Sequence, residues 1–264
     1  MMLQQLLIVS LLTMIIHTSE TLSYAVRFAG VRTGKLAVSL TLSGMIVLVA
    51  RTSNMLQGVM VGKMIDYAKL NAGFPLEKYF RLIIGSASIG TVLAMLLFPS
   101  VVFLAGRMIS HLEVSGSIPK LLTSVSLDKL KHARTHLRRP TLKMLRALRI
   151  YNVPKRLLLL NSVVTSIYTV GVLAALYASF VAVSGIAASQ SSGLINGIAT
   201  IIMTVLIDPQ IALMTDRALR NEADQDRLGK VYGLMMMSRF VGTLLGQVIF
   251  MPAVVWIEWM TARI

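Results

Sequence analysis

Leu82-Ile83-Ile84-Gly85-Ser86-Ala87-Ser88-Ile89-Gly90-Thr91-Val92-Leu93-Ala94-Met95-Leu96-Leu97-Phe98-Pro99-Ser100-Val101-Val102-Phe103-Leu104-Ala105-Gly106 contains no charged residue. About 20 such residues, wound as a helix, cross the roughly 30 Å of hydrocarbon in a bilayer. The run is too long and too continuous for a barrel strand, so the helical solution to backbone hydrogen bonding applies. Five other segments read the same way, giving spans at about 3–26, 36–62, 82–106, 157–183, 188–207 and 231–257. Composition agrees. Of 264 residues, 55% are hydrophobic and only 14% charged, with mean hydropathy +0.73, too little polar surface to cover a soluble core. The expected fold is all-α, a polytopic helical bundle of six transmembrane helices forming one domain over 1–264. Met1-Met2-Leu3-Gln4-Gln5 lacks the basic opening of a cleavable signal peptide, so residues 3–16 are read as the start of the first permanent span.

The net charge of +15 is concentrated between spans. Residues 107–156 hold twelve Lys or Arg, among them Lys120, Lys129, Lys131, Arg134, Arg138 and Arg139. The positive-inside rule assigns this linker to the cytoplasm. Counting outward, the Arg27–Lys35 turn and the Asp208–Lys230 loop are cytoplasmic as well, while 63–81, 184–187 and both termini face outside. Within the linker, Met144, Leu145, Leu148 and Tyr151 share one helical arc and Lys143, Arg146 and Arg149 another. That pattern fits either a helix lying on an anionic membrane surface or a solvated basic loop that only sets topology. Charge confined to short inter-span loops argues against nucleic-acid binding. His132 and His136 have the spacing of two metal ligands on a helix, but no third ligand is near and they are read as surface residues. The chain has no cysteine, hence neither disulfides nor thiolate chemistry.

Ionisable groups inside spans are costly and count first as functional candidates. On the first helix His17, Glu20, Tyr24 and Arg27 fall within an arc of roughly 80°. They form a polar cavity wall with His17 and Glu20 balancing or relaying charge, or else a stripe that snorkels to the cytoplasmic interface. On the second, Arg51, Asn54, Gly58 and Gly62 share a face and Gln57 lies nearby. Arg51 stays charged at any physiological pH. It pairs with a carboxylate such as Glu20, or faces water and grips an anion, or sits structurally at the outer interface. A planar guanidinium fork suits a diphosphate. The sixth helix repeats the theme with Arg239, Gly242 and Gly246. Glycines four apart permit close helix approach on both. Arg32-Thr33-Gly34-Lys35 and Arg227-Leu228-Gly229-Lys230 open the second and sixth helices, where amide groups at a helix N-terminus could hold a phosphate. Asp208-Pro209 reads as a chain break, with Asp208 capping a new helix. There is no phosphate-loop motif, no H-E-x-x-H and no G-x-S-x-G elbow, so neither an ATPase nor an enzyme is expected, and no cofactor or metal. The seventeen methionines are flexible enough to line a surface that repacks around apolar ligands, although most are read as lipid-facing or core.

The run His17-Thr18-Ser19-Glu20-Thr21-Leu22-Ser23-Tyr24, Arg27, then Ala29-Gly30-Val31-Arg32-Thr33-Gly34-Lys35-Leu36-Ala37, resembles the Amj family of bacterial lipid II flippases. So do Arg51-Thr52-Ser53-Asn54 with Gln57, and Asp208-Pro209 with Ala212-Leu213-Met214-Thr215-Asp216-Arg217-Ala218-Leu219. Gln57-Gly58-Val59 stands where the family pattern carries Gln-Ala-Pro. The resemblance covers essentially the whole chain. It implies a multi-pass protein of the bacterial cytoplasmic membrane that moves undecaprenyl-pyrophosphate-linked peptidoglycan precursor from the inner to the outer leaflet. The implied partners are lipid II and membrane lipids, with a homo-oligomer compatible and no nucleic acid. It supplies no residue roles. The chemistry above nominates Arg27, Arg32, Lys35, Arg51, Asn54, Gln57 and Arg239 for substrate, and His17 and Glu20 for charge balance or proton coupling. The rival expectations are an ion-coupled transporter of another anion and a membrane scaffold for cell-wall synthesis.

Overall fold

The computed structural model describes residues 2–115 and 153–264. The linker readings on Lys120 to Arg149, on His132 and His136, and on the Met144–Tyr151 arc lie outside the described residues. Among the described residues, six spans are long and apolar enough to cross a membrane. They are built from α1 (Met2–Arg32), α2 (Leu36–Leu70), α3 (Leu76–Ser115), α4 (Lys155–Val181), a compound fifth span and α8 (Glu222–Thr261). The fifth span comprises α5 (Gly185–Gln190), α6 (Ser192–Ile202), a π-helical turn (Met203–Ile207) and α7 (Asp208–Arg220).

Most helices outrun the apolar segments that announce them. α2 continues past Gln57-Gly58-Val59 without a break, as the lack of a proline there allows. Turns form where glycine supplies positive φ: Gly34 (φ 68) between α1 and α2, and Gly73 (φ 93) between α2 and α3. The amide of Lys35 donates back to the Gly30 carbonyl at 2.8 Å, closing the first of these. At the same end of the bundle Asn221 caps α8, its side chain accepting from the Ala223 amide at 3.0 Å.

Two local expectations are corrected. Asp208 does not cap a new helix after a break. The chain stays helical through the π turn, Asp208 makes no side-chain cap bond, and Pro209 sits in the first turn of α7, where its missing N–H is tolerated. Arg227-Leu228-Gly229-Lys230 does not open a helix either. α8 begins at Glu222, so by Gly229 the amides have intrahelical partners and cannot offer an N-terminal phosphate cradle.

Packing combines apolar clusters with side-chain hydrogen bonds. At the end carrying Gly73, Phe80 and Phe250 stack with centroids 5.9 Å apart, and Tyr177 packs edge-on to both. Toward the opposite end, Tyr232, Leu157 and Leu228 centre a second cluster, and Ala25, Ala29, Val102 and Ile109 join α1 to α3. Between α4 and α8, Asn161 Nδ2 donates to the Met235 carbonyl at 3.0 Å and Ser162 Oγ to the Ser238 carbonyl at 2.8 Å. Such bonds between helices in a membrane are worth about 0.6–2 kcal/mol each. The two glycine pairs behave differently. A Cβ on Gly242 would lie 2.5 Å from the Ser162 carbonyl and one on Gly246 3.3 Å from Thr169, so α8 approaches α4 closely there. Gly58 and Gly62 face open space among the described residues, and no close helix approach is made on them.

Candidate functional site

The stripe on α1 forms as helical spacing dictates. Residues 17, 20, 24 and 27 lie three or four apart and project from one side. α2 brings Arg51 and Asn54 against that side, α8 brings Arg239, α4 brings Tyr168, and the fifth span brings Asn196, Thr200 and Asp208. Together they line a cavity of about 450 Å³ enclosed by five spans.

Its charges are arranged asymmetrically. Arg239 is buried, with only 9% of its side chain exposed; its Nη2 donates to Glu20 Oε2 at 2.6 Å, and its Nε donates to Thr21 Oγ1 at 3.2 Å. This ion pair ties α8 to α1. Glu20 keeps 33% exposure, so its carboxylate is both paired and reachable from the cavity. Arg27 is half-buried, and its Nε donates to Ser43 Oγ of α2 at 3.3 Å. Arg51 is exposed and has no ion pair or hydrogen bond among the described residues. Of the alternatives open for it, pairing with Glu20 is not what forms. Asp208, delivered by the π turn, lies within electrostatic reach of Arg27. Single π turns inside α-helices recur at functional sites because they re-aim the residues that follow.

Neutral polar groups and apolar side chains such as Val47, Val172 and Met203 fill the rest of the wall. The hydroxyls of Tyr168 and Thr200 meet at 2.7 Å, joining α4 to α6. Tyr24 stacks on Tyr232 with centroids 5.4 Å apart. Two buried atoms at this cavity, His17 Nδ1 and Asn196 Oδ1, have no hydrogen-bond partner among the described residues. Buried polar groups left unpaired are rare and ask for a reason.

The nominated residues thus divide. His17, Glu20, Arg27, Arg51, Asn54 and Arg239 share the cavity. Gln57 does not line it. Gln57 is buried between α1 and α2, and its Nε2 donates to Thr13 Oγ1 at 2.7 Å, a helix-to-helix clamp. Arg32 is exposed on the other side of α1, its guanidinium 5.9 Å from the Phe28 ring centre, and Lys35 lies in the turn beyond. Asp208, Tyr168 and Asn196 complete the wall without having been nominated. The Asp-Pro pair carried a signal, but it fits a helix start equally well. Asn196 and Tyr168 carried none. Among the described residues no group of His, Cys, Asp and Glu is arranged to hold a metal ion. What the cavity offers chemically is three guanidiniums facing two carboxylates inside membrane-spanning helices, a place for an anion to exchange with internal counter-charges.

Comparison with known proteins agrees in extent with this architecture. The chain is 37% identical over 260 residues to the protein named lipid II flippase Amj of Bacillus subtilis (strain 168), covering 97% of each chain. No solved structure matches. The family model described as "Amj: Alternate to MurJ" matches residues 12–261, and the chain therefore belongs to the Amj family.

Proposed function

We propose that this protein is a lipid II flippase of the cell membrane, and that the cavity receives the diphosphate of the polyprenyl-linked precursor while the lipid is carried from the inner to the outer leaflet. The near full-length relative named for that activity supports the reaction. The gathering of Arg27, Arg51 and Arg239 on one intramembrane cavity supports the route. The basic linker faces the cytoplasm in this reading and both termini lie outside.

Each guanidinium has its own part. Arg51, exposed and without a counter-ion among the described residues, is the first capture point, since it gives up no partner there. Arg27 is held by a neutral hydroxyl and balanced at a distance by Asp208, so a diphosphate can displace that balance. Arg239 is committed to Glu20, and recruiting it requires the α1–α8 ion pair to open. Bidentate guanidinium–phosphate contacts fit this chemistry better than an ammonium would. The inside-negative potential assists an anion moving outward by about 2.3 kcal/mol per charge per 100 mV, so no nucleotide hydrolysis is needed.

The deciding test is a leaflet-accessibility assay for lipid II, in vesicles with and without the purified protein, beside growth of cells stripped of other lipid II flippases. Arg51→Ala and Arg27→Ala are expected to reach the membrane at normal levels, fail to support growth and fail to expose lipid II. Normal transport by the double variant would remove the cavity from the route. No transport by the wild type would remove the function.

A further inference from the structure

A second basic site lies on the opposite side of α1. Arg27 and Arg32 are five residues apart, which on an α-helix separates them by roughly 140°. Arg27 therefore turns into the cavity and Arg32 away from it, toward α3. There Arg32 meets Arg107 and His111 across a groove of about 680 Å³ between α1 and α3. The floor is apolar, formed by Ala29, Pro99, Val102 and Phe103, with Pro99 lying inside α3. The guanidinium of Arg107 lies 4.7 Å from the Phe103 ring centre, so the cation sits directly over the apolar floor. No carboxylate is among the described residues lining the groove.

We propose that this groove is a binding site for one anionic phospholipid of the membrane leaflet at this end of the bundle. An acyl chain lies along the Pro99–Phe103 floor, and the headgroup phosphate meets Arg32 and Arg107 at the rim, with His111 as a further donor. The complementarity is twofold. The groove is apolar toward the middle of α3 and cationic toward its end, as a phospholipid is apolar along its tail and anionic at its head. The site is separate from the transport cavity, and the proposal stands whether or not lipid II is the transported molecule.

The test is native mass spectrometry of the full-length protein released from detergent containing equal amounts of phosphatidylglycerol and phosphatidylcholine. The wild type is expected to retain phosphatidylglycerol selectively. Arg32→Gln with Arg107→Gln should lower that retention roughly tenfold or more, the size expected for losing two charges at an anionic headgroup. Arg32→Lys with Arg107→Lys keeps the charge and should keep the lipid, and Arg51→Ala, in the other compartment, should keep it too. The proposal is overturned if phosphatidylcholine is held equally well, if the Gln variant retains phosphatidylglycerol as the wild type does, or if the Lys and Gln variants lose it alike.

Discussion

Glu20 and Arg239 bear the sharpest single-residue consequences. Removing one member of a buried ion pair strands the other and costs about 3–5 kcal/mol, whereas removing both is far milder. Glu20 is one-third exposed, so the low end of that range applies here. Glu20→Gln and Arg239→Gln should each lower the thermal unfolding midpoint of the purified protein in detergent, and the double variant should recover part of the loss while remaining inactive in transport. Equal destabilisation by the double and the sum of the singles would show that the pair contributes nothing as a pair. The stripe holding Glu20 was legible, because His17, Glu20, Tyr24 and Arg27 obey the helical period. Its partner was not. Three arginines on three helices compete for one carboxylate, and only the packing of α8 on α1 decides among them. Arg32 is nominated from sequence because Arg32-Thr33-Gly34-Lys35 opens the second helix, yet five residues along α1 from Arg27 lead to another face. Asp208 calls for its own test: Asp208→Asn keeps the shape and removes the charge, and should lower transport severalfold without lowering the unfolding midpoint.

Elements that look alike in sequence part company once neighbours are known. α2 and α8 each carry glycines four apart near an arginine, and periodicity alone treats them as equivalent. The difference lies in what each glycine meets. Gly242→Ala drives a methyl group into the Ser162 carbonyl of α4, a backbone atom that cannot swing aside, and overpacking of this kind typically costs about 1–3 kcal/mol. Gly58→Ala and Gly62→Ala place the methyl in open space and relieve the helix of a glycine, worth about 0.5–1 kcal/mol in favour of the variant. Unfolding midpoints of the three variants should therefore fall, rise and rise. That there are six helices long and apolar enough to span was legible, because hydrocarbon thickness sets a minimum length. Their upper limits were not, since polar turns such as Leu76–Arg81 and Glu222–Lys230 continue as helix after the apolar run has ended. The π turn at Met203–Ile207 left no trace in the pattern of apolar residues, and it is the device that brings Asp208 to the cavity.

At the scale of the molecule, burial is uneven. In its most apolar stretch α4 is 61% buried, while the fifth span is only 17% buried and is also the one broken at Ser191 and re-pitched at the π turn. This least packed of the spans contributes Asn196, Thr200 and Asp208 to the cavity wall. Orientation can be read directly because the chain lacks cysteine. With Ser184→Cys, a membrane-impermeant thiol reagent applied to intact cells should label the protein; with Asn221→Cys it should do so only after the cells are opened. The reverse pattern would invert the proposed topology. α1 is a single rod of 31 residues bearing His17, Glu20 and Arg27 along one flank and Arg32 on the other. Two occupants that lean on the same rod are coupled through it to the extent that they favour different tilts or twists of it. Whatever tilt or twist of it one of them favours is imposed on the other, and thermodynamic reciprocity makes the two effects equal in size. On the proposed cavity and groove, such coupling would make the phospholipid makeup of the surrounding leaflet an effector of how tightly the cavity holds its anion.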